Sequence, residues 1–279
     1  MQILDVSSQR TEIRVAGHFG EWLQGRLGPE GPVALISLPC HELGVRARFS
    51  PSETFTLDQT PVVLSESTVK TFLAALDHPA KGHWILNAEM KPGSGAGTST
   101  ASLLAIAHSA GISADTEALI RACLMAEGAS DPLFFADMET HLWASRQGET
   151  LRNLPPCPEF EIVGGFWQQG ERTDPDDAAF PDISDLIDPW AEAAHSQNRE
   201  QIALLASESA NRTTALRGPN DEPIAQLALE LNALGYVRAH TGSARGLLFA
   251  PGKAPKDAMD QLKLAGYSTP MVFTSGARK

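Results

Sequence analysis

The residues best suited to chemistry lie in the stretch Lys91-Pro92-Gly93-Ser94-Gly95-Ala96-Gly97-Thr98-Ser99-Thr100-Ala101. Three glycines at alternate positions leave a main chain nearly bare of side chains, so its amides can come close to a ligand. Thr98, Ser99 and Thr100 then place hydroxyls where a helix must begin. The following residues, Ala101 to Ala110, include no Asp, Glu, Lys or Arg, which predicts a helix buried on most sides. Free amides, aligned peptide dipoles and hydroxyls at one helix start suit an anion, most naturally a phosphate. The same residues also fit a plain turn into a core helix. Two common phosphate motifs are excluded: no Gly-Lys-Ser or Gly-Lys-Thr occurs in the chain, and the loop runs G-x-G-x-G, not G-x-G-x-x-G.

Further candidates surround this loop. Gly17-His18-Phe19-Gly20-Glu21-Trp22-Leu23-Gln24-Gly25 sets three glycines around one carboxylate and reads as a second loop. Glu127 and Asp131 stand in a turn-rich segment, where Asp131 before Pro132 is a turn former or cap as readily as a catalytic group. Glu21 reads as a solvated carboxylate unless its loop folds over a pocket. A third small-residue loop, Thr241-Gly242-Ser243-Ala244-Arg245-Gly246, follows late in the chain.

Composition narrows the chemistry. At 279 residues, 42% hydrophobic and 20% charged, the chain is long enough for one large domain or two medium lobes. A net charge of −12 argues against sequence-independent nucleic-acid binding, which needs clustered Lys and Arg. It leaves ATP open, since a few amides and one Mg²⁺ can hold phosphates within an acidic protein. Cys40, Cys123 and Cys157 are widely spaced without C-x-x-C, so neither a disulfide framework nor a zinc site follows. No run of about 18 apolar residues predicts a membrane span. The polar first dozen residues do not read as a signal peptide, and the expected compartment is the reducing cytoplasm.

The elements that must position these residues follow from periodicity. Thr11 to Ala16 alternates as a strand, Pro32–Pro39 and Leu43–Phe49 read as two more, and Val69–Leu76 as a helix. The strand Trp84–Met90 feeds the glycine loop directly. Gly111 should end the buried helix, and a second helix opened by Ser113 or Asp115 should stop at Gly128. Proline-rich Leu151–Phe160 is the candidate boundary between lobes over 1–155 and 156–279. Beyond it we expect a strand at Phe160–Phe166 and an acidic loop over Arg172–Asp185. Helix then runs through Leu186–Leu216 with a break near Gln197-Asn198, and Asp221-Glu222-Pro223 opens a further helix that Gly235 closes. Strands at Tyr236–Ala239 and Gly246–Phe249 flank the third loop. Pro255 opens a last helix and Gly266 closes it, before a strand at Pro270–Thr274. The sum is an α+β fold with helices on a mainly antiparallel sheet.

In order and content, the three glycine segments resemble the motifs of the GHMP kinases, the family of galactokinase, homoserine kinase, mevalonate kinase and phosphomevalonate kinase. Gly95-Ala96-Gly97-Thr98-Ser99-Thr100-Ala101 is similar to the family's central G-L-G-S-S-A-A loop, with Thr98 where Ser is usual. Thr241 to Gly246 resembles the third motif, although it carries Arg245 and only two glycines. The closing Gly276-Ala277-Arg278 also resembles how many members end. Within the family, Gly20-Glu21-Trp22-Leu23-Gln24-Gly25 resembles the G-E-L-I-Q-G-like core of the L-threonine kinases of cobalamin side-chain synthesis and propanediol utilisation. Ala239-His240-Thr241-Gly242 looks like their third motif.

The resemblance implies a two-lobed fold, with a ribosomal-protein-S5-domain-2-like N-terminal lobe and a ferredoxin-like C-terminal lobe. It implies ATP and Mg²⁺ as cofactors and transfer of the γ-phosphate to a hydroxyl, with L-threonine first and homoserine or another small alcohol next. Gly93, Ser94, Gly95, Ala96, Gly97, Thr98 and Ser99 would then hold the phosphates. Ser99 matches the Mg²⁺-contacting serine, Glu127 offers a second metal ligand, and Asp131 would take the hydroxyl proton. Glu21 would meet the acceptor's ammonium, and Arg245 or Arg238 its carboxylate or a phosphate, while Thr241 and Gly242 buttress the loop. From another class, a kinase-shaped regulatory protein that binds nucleotide without turnover also fits the altered third motif.

Overall fold

The computed structural model describes residues 12–168, 176–240 and 242–276. Strands β1 (Ile13–Arg26), β2 (Val33–Ser50), β3 (Phe55–Thr60) and β4 (Gly82–Ala88) come first, with helix α1 (Glu66–Ala75) between β3 and β4. Helices α2 (Thr98–Ser109) and α3 (Thr116–Glu127) follow, then a hairpin of β5 (His141–Ala144) and β6 (Glu149–Asn153). The second half comprises β7 (Phe160–Phe166), α4 (Ser184–His195), α5 (Arg199–Arg217), α6 (Ile224–Glu230), β8 (Gly235–Arg238), β9 (Ala244–Phe249), α7 (Ala258–Leu264) and β10 (Ser268–Ser275). One sheet joins both halves in the order β10-β7-β9-β8-β1-β2-β4-β3, and the β5–β6 hairpin hangs from β2. Only β3 and β4 run parallel among the described pairs, so the architecture is the mixed α+β one expected.

Most elements fall where the periodicity puts them, and the differences have local causes. Gly17–Gly25 is not a loop: it is the buried middle of β1, bent by register shifts at Ala16/Gly17, His18/Glu21 and Glu21/Leu23. Gly20 takes φ +69°, the left-handed conformation such a bulge requires. Pro32–Pro39 and Leu43–Phe49 are one strand, β2, because Pro39 and Cys40 still find partners on β1 at His18 and Gly17. Gly235 opens β8 instead of closing α6, which ends at Leu231 with Asn232 at φ 52°. Arg245 lies within β9 rather than in a loop. The acidic segment yields to α4 at Ser184, and residues 169–175 lie outside the described part.

Helix α2 is the centre of the first half. Every residue from Ala101 to Ala107 is buried, packed on β1 and β2. An uncharged sequence makes this burial possible, because no side chain has to be taken out of water unpaired. Its end is a reciprocal pair of bonds, Gly111 N to His108 O and Ile112 N to Ala107 O. Asp115 caps α3 by accepting from the Ala118 amide at 2.7 Å, and Gly128 ends it at φ 75°. Trp22 of β1 packs against Phe160 and Trp190 at ring separations of 5.2 and 5.8 Å, tying the two halves through one core.

Candidate active site

The three glycine segments meet. His18 N donates to Ala96 O at 3.2 Å and Gly20 N to Gly95 O at 2.9 Å, so the β1 bulge grips the central loop. Ala244 N donates to Ser94 O at 2.9 Å from the other side. Gly95, at φ +71°, has room for no side chain: a Cβ there would fall 2.3 Å from Ala239 Cβ. The loop is therefore pinned between two strands before any ligand arrives.

Gly97 occupies the cap position of α2 and brings no side chain to satisfy the first-turn amides. Thr98, Ser99 and Thr100 line a cavity of about 260 Å³ together with Pro92, Gly93, Gly95, Ala96 and Gly97. Ser94 is buried, and its hydroxyl finds no partner among the described residues. Two carboxylates reach the same helix start. Ser99 Oγ donates to the Glu127 carboxylate. Thr100 Oγ1 lies 3.4 Å from Asp131 Oδ2 and accepts from the Asp131 amide at 3.2 Å. Glu127 ends α3, where the helix dipole opposes a negative charge. A hydroxyl and a carboxylate brought together there, both hard oxygen donors, form a set that fits Mg²⁺.

Deeper in the cavity sits a charged group that the sequence motifs did not single out. His18, 2% exposed, lies between Glu21 and Asp131, with Nδ1 3.5 Å from Glu21 Oε1 and Nε2 3.5 Å from Asp131 Oδ1. Burial opposes its charge, but the two carboxylates outweigh burial and raise its pKa to about 9. Burial pushes the Glu21 carboxyl up to about 7, with His18 pulling the other way. The imidazolium is thus held as a charge inside the protein. His18 Nε2 and Glu21 Oε2 make no hydrogen bond among the described residues.

Of the remaining sequence candidates, Gly242 lines the cavity and touches the central glycine loop, where a Cβ would fall 2.3 Å from Gly95 N. Thr241, Ala277 and Arg278 lie outside the described residues. Arg245 and Arg238 are not placed for substrate. Arg245 donates to Glu222, to Gly242 O at 2.8 Å and to Ala244 O at 2.9 Å, and Arg238 donates to Thr214 Oγ1 at 2.6 Å. Both are buried, and neither lines the cavity. An expected substrate arginine is in fact a brace of the third glycine segment, because a buried guanidinium is stable only with its donors filled.

His18, Gln24, Val63, Arg146, Phe180 and His240 line the cavity without having been singled out as site residues. His18 and Gln24 stand on β1 within the first glycine segment, whereas Arg146, in the turn of the β5–β6 hairpin, and Phe180, before α4, have no local pattern to mark them. His18 had one signal, its place three residues before Glu21 in the first motif.

The fold is shared with solved kinase structures. The chain is similar to L. major mevalonate kinase with R-mevalonate (TM-score 0.65, 12% identity, 98% of each chain covered). It is similar to Streptococcus pneumoniae phosphomevalonate kinase (TM-score 0.65, 11% identity, 96% of this chain and 99% of that one). A third is homoserine kinase from Cytophaga hutchinsonii (TM-score 0.61, 16% identity, 98% of this chain and 97% of that one). No family model and no curated protein matches the sequence. At such identities the likeness establishes the fold alone, a mixed α+β one shared with these kinases across essentially the whole chain.

Proposed function

We propose that the protein is an ATP-dependent kinase of a small hydroxy compound, with L-threonine the first candidate acceptor and homoserine the next. One observation carries the reading: a glycine loop without side chains opens an uncharged helix, and two carboxylates, Glu127 and Asp131, hydrogen-bond to consecutive hydroxyls of that helix inside one cavity. Kinase neighbours of the same fold support it. An ATP-binding lobe over 1–155 and a second lobe over 156–279 complete the proposal, with the cytoplasm as compartment.

Phosphoryl transfer asks a protein for alignment and charge neutralisation more than for covalent help. Amides from Gly93 to Ser99 would hold the β- and γ-phosphates, with the α2 dipole adding about 0.3–2 kcal/mol to directed hydrogen bonds. Val63, which lines the cavity between exposed Val62 and buried Leu64, is assigned to the adenine end. Ser99 and Glu127 would hold Mg²⁺, which neutralises phosphate charge when bound. Asp131 would accept the acceptor's hydroxyl proton at a carboxylate oxygen, while His18 fixes its orientation and Thr100 its backbone. Glu21, shared with His18, is assigned to the acceptor's ammonium.

Incubation with Mg²⁺-ATP and threonine, serine, homoserine or mevalonate, followed by mass analysis, tests the proposal. A product heavier by one phosphoryl group with one of these is the expected result. Nucleotide binding without product from any acceptor would favour the regulatory reading.

A further inference from the structure

Loss of Arg245 and Arg238 as substrate ligands leaves the acceptor end of the cavity without the cation expected there, and the fold supplies another. Ser130 N donates to Ser145 O at 2.9 Å, so the residue before Asp131 is bonded to the residue before Arg146. Arg146, from the turn of the β5–β6 hairpin, lines the same cavity as Asp131. Its guanidinium lies 5.6 Å from the Phe180 ring centre, and Nη2 donates to the Asp177 carbonyl. Phe180 in turn stacks on His240, with ring centres 3.8 Å apart and planes within 6°.

His240, at the base of that stack, is held by two polar contacts and is uncharged. His240 N donates to Gln24 Oε1 at 3.1 Å, and Nε2 lies 3.0 Å from Ala179 O, which fixes the ring. Burial, assisted by the Arg217 charge, depresses the His240 pKa to about 3, so the ring stays neutral. Among the described residues lining the cavity, the cations are then His18, enclosed by Glu21 and Asp131, and Arg146. A guanidinium offers a planar fork matched to a carboxylate, and stacking on an aromatic ring holds that fork in place at low entropic cost.

We propose that Arg146, held by the Phe180–His240 stack, receives the carboxylate of the acceptor and so restricts the enzyme to small hydroxy acids. This rests on the kinase reading above. Asp131 and Arg146, both lining this cavity, would bracket a molecule that carries its hydroxyl and its carboxylate a few bonds apart. A neutral alcohol would leave the guanidinium desolvated and without its anion, which is how such a site rejects it.

The test uses the full chain with threonine and homoserine against the amino alcohols in which the carboxylate is reduced to a hydroxymethyl. Calorimetric binding is measured beside turnover. Arg146→Met should weaken binding and raise KM for the acids by about 10- to 100-fold, the scale of a lost charged hydrogen bond. It should change the amino alcohols and the KM for ATP by no more than about twofold, and Arg146→Lys should recover part of the loss. Equal losses for acids and amino alcohols, a matching rise in the KM for ATP, or wild-type protein that accepts both classes alike would overturn the proposal. Arg146-dependent acid binding without any phosphorylated product would instead sink the kinase reading and leave the carboxylate site standing.

Discussion

Two clusters of charge draw on neighbouring strands of one sheet and differ in their surroundings. One is His18, Glu21 and Asp131; the other is Glu222, Arg238 and Arg245. Glu21 and Arg238 are even register partners across β1 and β8, yet each belongs to a different cluster. In the second cluster the arginine donors are spent on carbonyls, Thr214 and Glu222, away from the cavity. In the first, Nε2 of His18 and Oε2 of Glu21 lack hydrogen bonds among the described residues, as Glu222 Oε2 does in the second, but here all three side chains line the cavity. Buried charge alone therefore does not mark chemistry. Charge left partly unsatisfied beside an open volume does.

The comparison can be broken most severely at the helix start. Ser99→Ala removes the hydroxyl that meets Glu127, and Asp131→Asn removes the assigned base. Each should lower kcat by about 100- to 10,000-fold, with thermal stability close to wild type. For Asp131→Asn the acceptor KM should move far less than kcat, as expected for a group acting in the transition state. An Asp131→Asn enzyme with full turnover would remove the base and leave the phosphate site intact.

The second cluster should respond in the opposite sense. Glu222→Gln leaves two buried guanidinium groups facing each other without their carboxylate, a change that costs about 3–5 kcal/mol of stability. Denaturant unfolding should reveal that loss, while kcat per folded molecule changes by no more than a few-fold. A large fall in kcat with unchanged stability would merge the two clusters into one site.

The first cluster predicts a pH signature. Both His18 and Glu21 bind a proton more tightly folded than unfolded, with pKa values near 9 and 7 against ordinary values of 6.5 and 4.5. Their contribution is full below those ordinary values, so unfolding free energy should decline from about pH 4.5 to pH 9. His18→Gln should flatten the part of the decline between pH 6.5 and 9. An unaltered profile in that variant would show that the imidazolium is not held charged. The smallest expected effect is at Thr100→Val, which removes the two contacts of its hydroxyl to Asp131 and should reduce kcat by about ten-fold or less.

The clusters also show why some of this was legible in the sequence. The central glycine loop and the buried helix after it declare themselves, because bare glycines before an uncharged helix are a local pattern with a local cause. Helix α3 was legible for the same reason, from the start candidate Asp115 and the stop at Gly128, and the division of α4 from α5 from the break at Gln197-Asn198. Arg245 misled because its position beside a glycine motif says nothing of where its donors are filled; Glu222, 23 residues away, decides that. Arg146 was silent because its role depends on Phe180 and His240, brought together only by the sheet. The β1 glycines read as a loop since the bulge that needs them is imposed by Gly95 and Ala96, far along the chain.

The central claim is that a polyphosphate is held by the Gly93–Ser99 main chain at the start of α2. A crystal structure with Mg²⁺ and a non-hydrolysable ATP analogue tests it most directly. The account predicts β- and γ-phosphate oxygens within hydrogen-bond reach of those amides, with the metal between Ser99, Glu127 and the phosphates. Nucleotide bound elsewhere while that corner holds only water would contradict it.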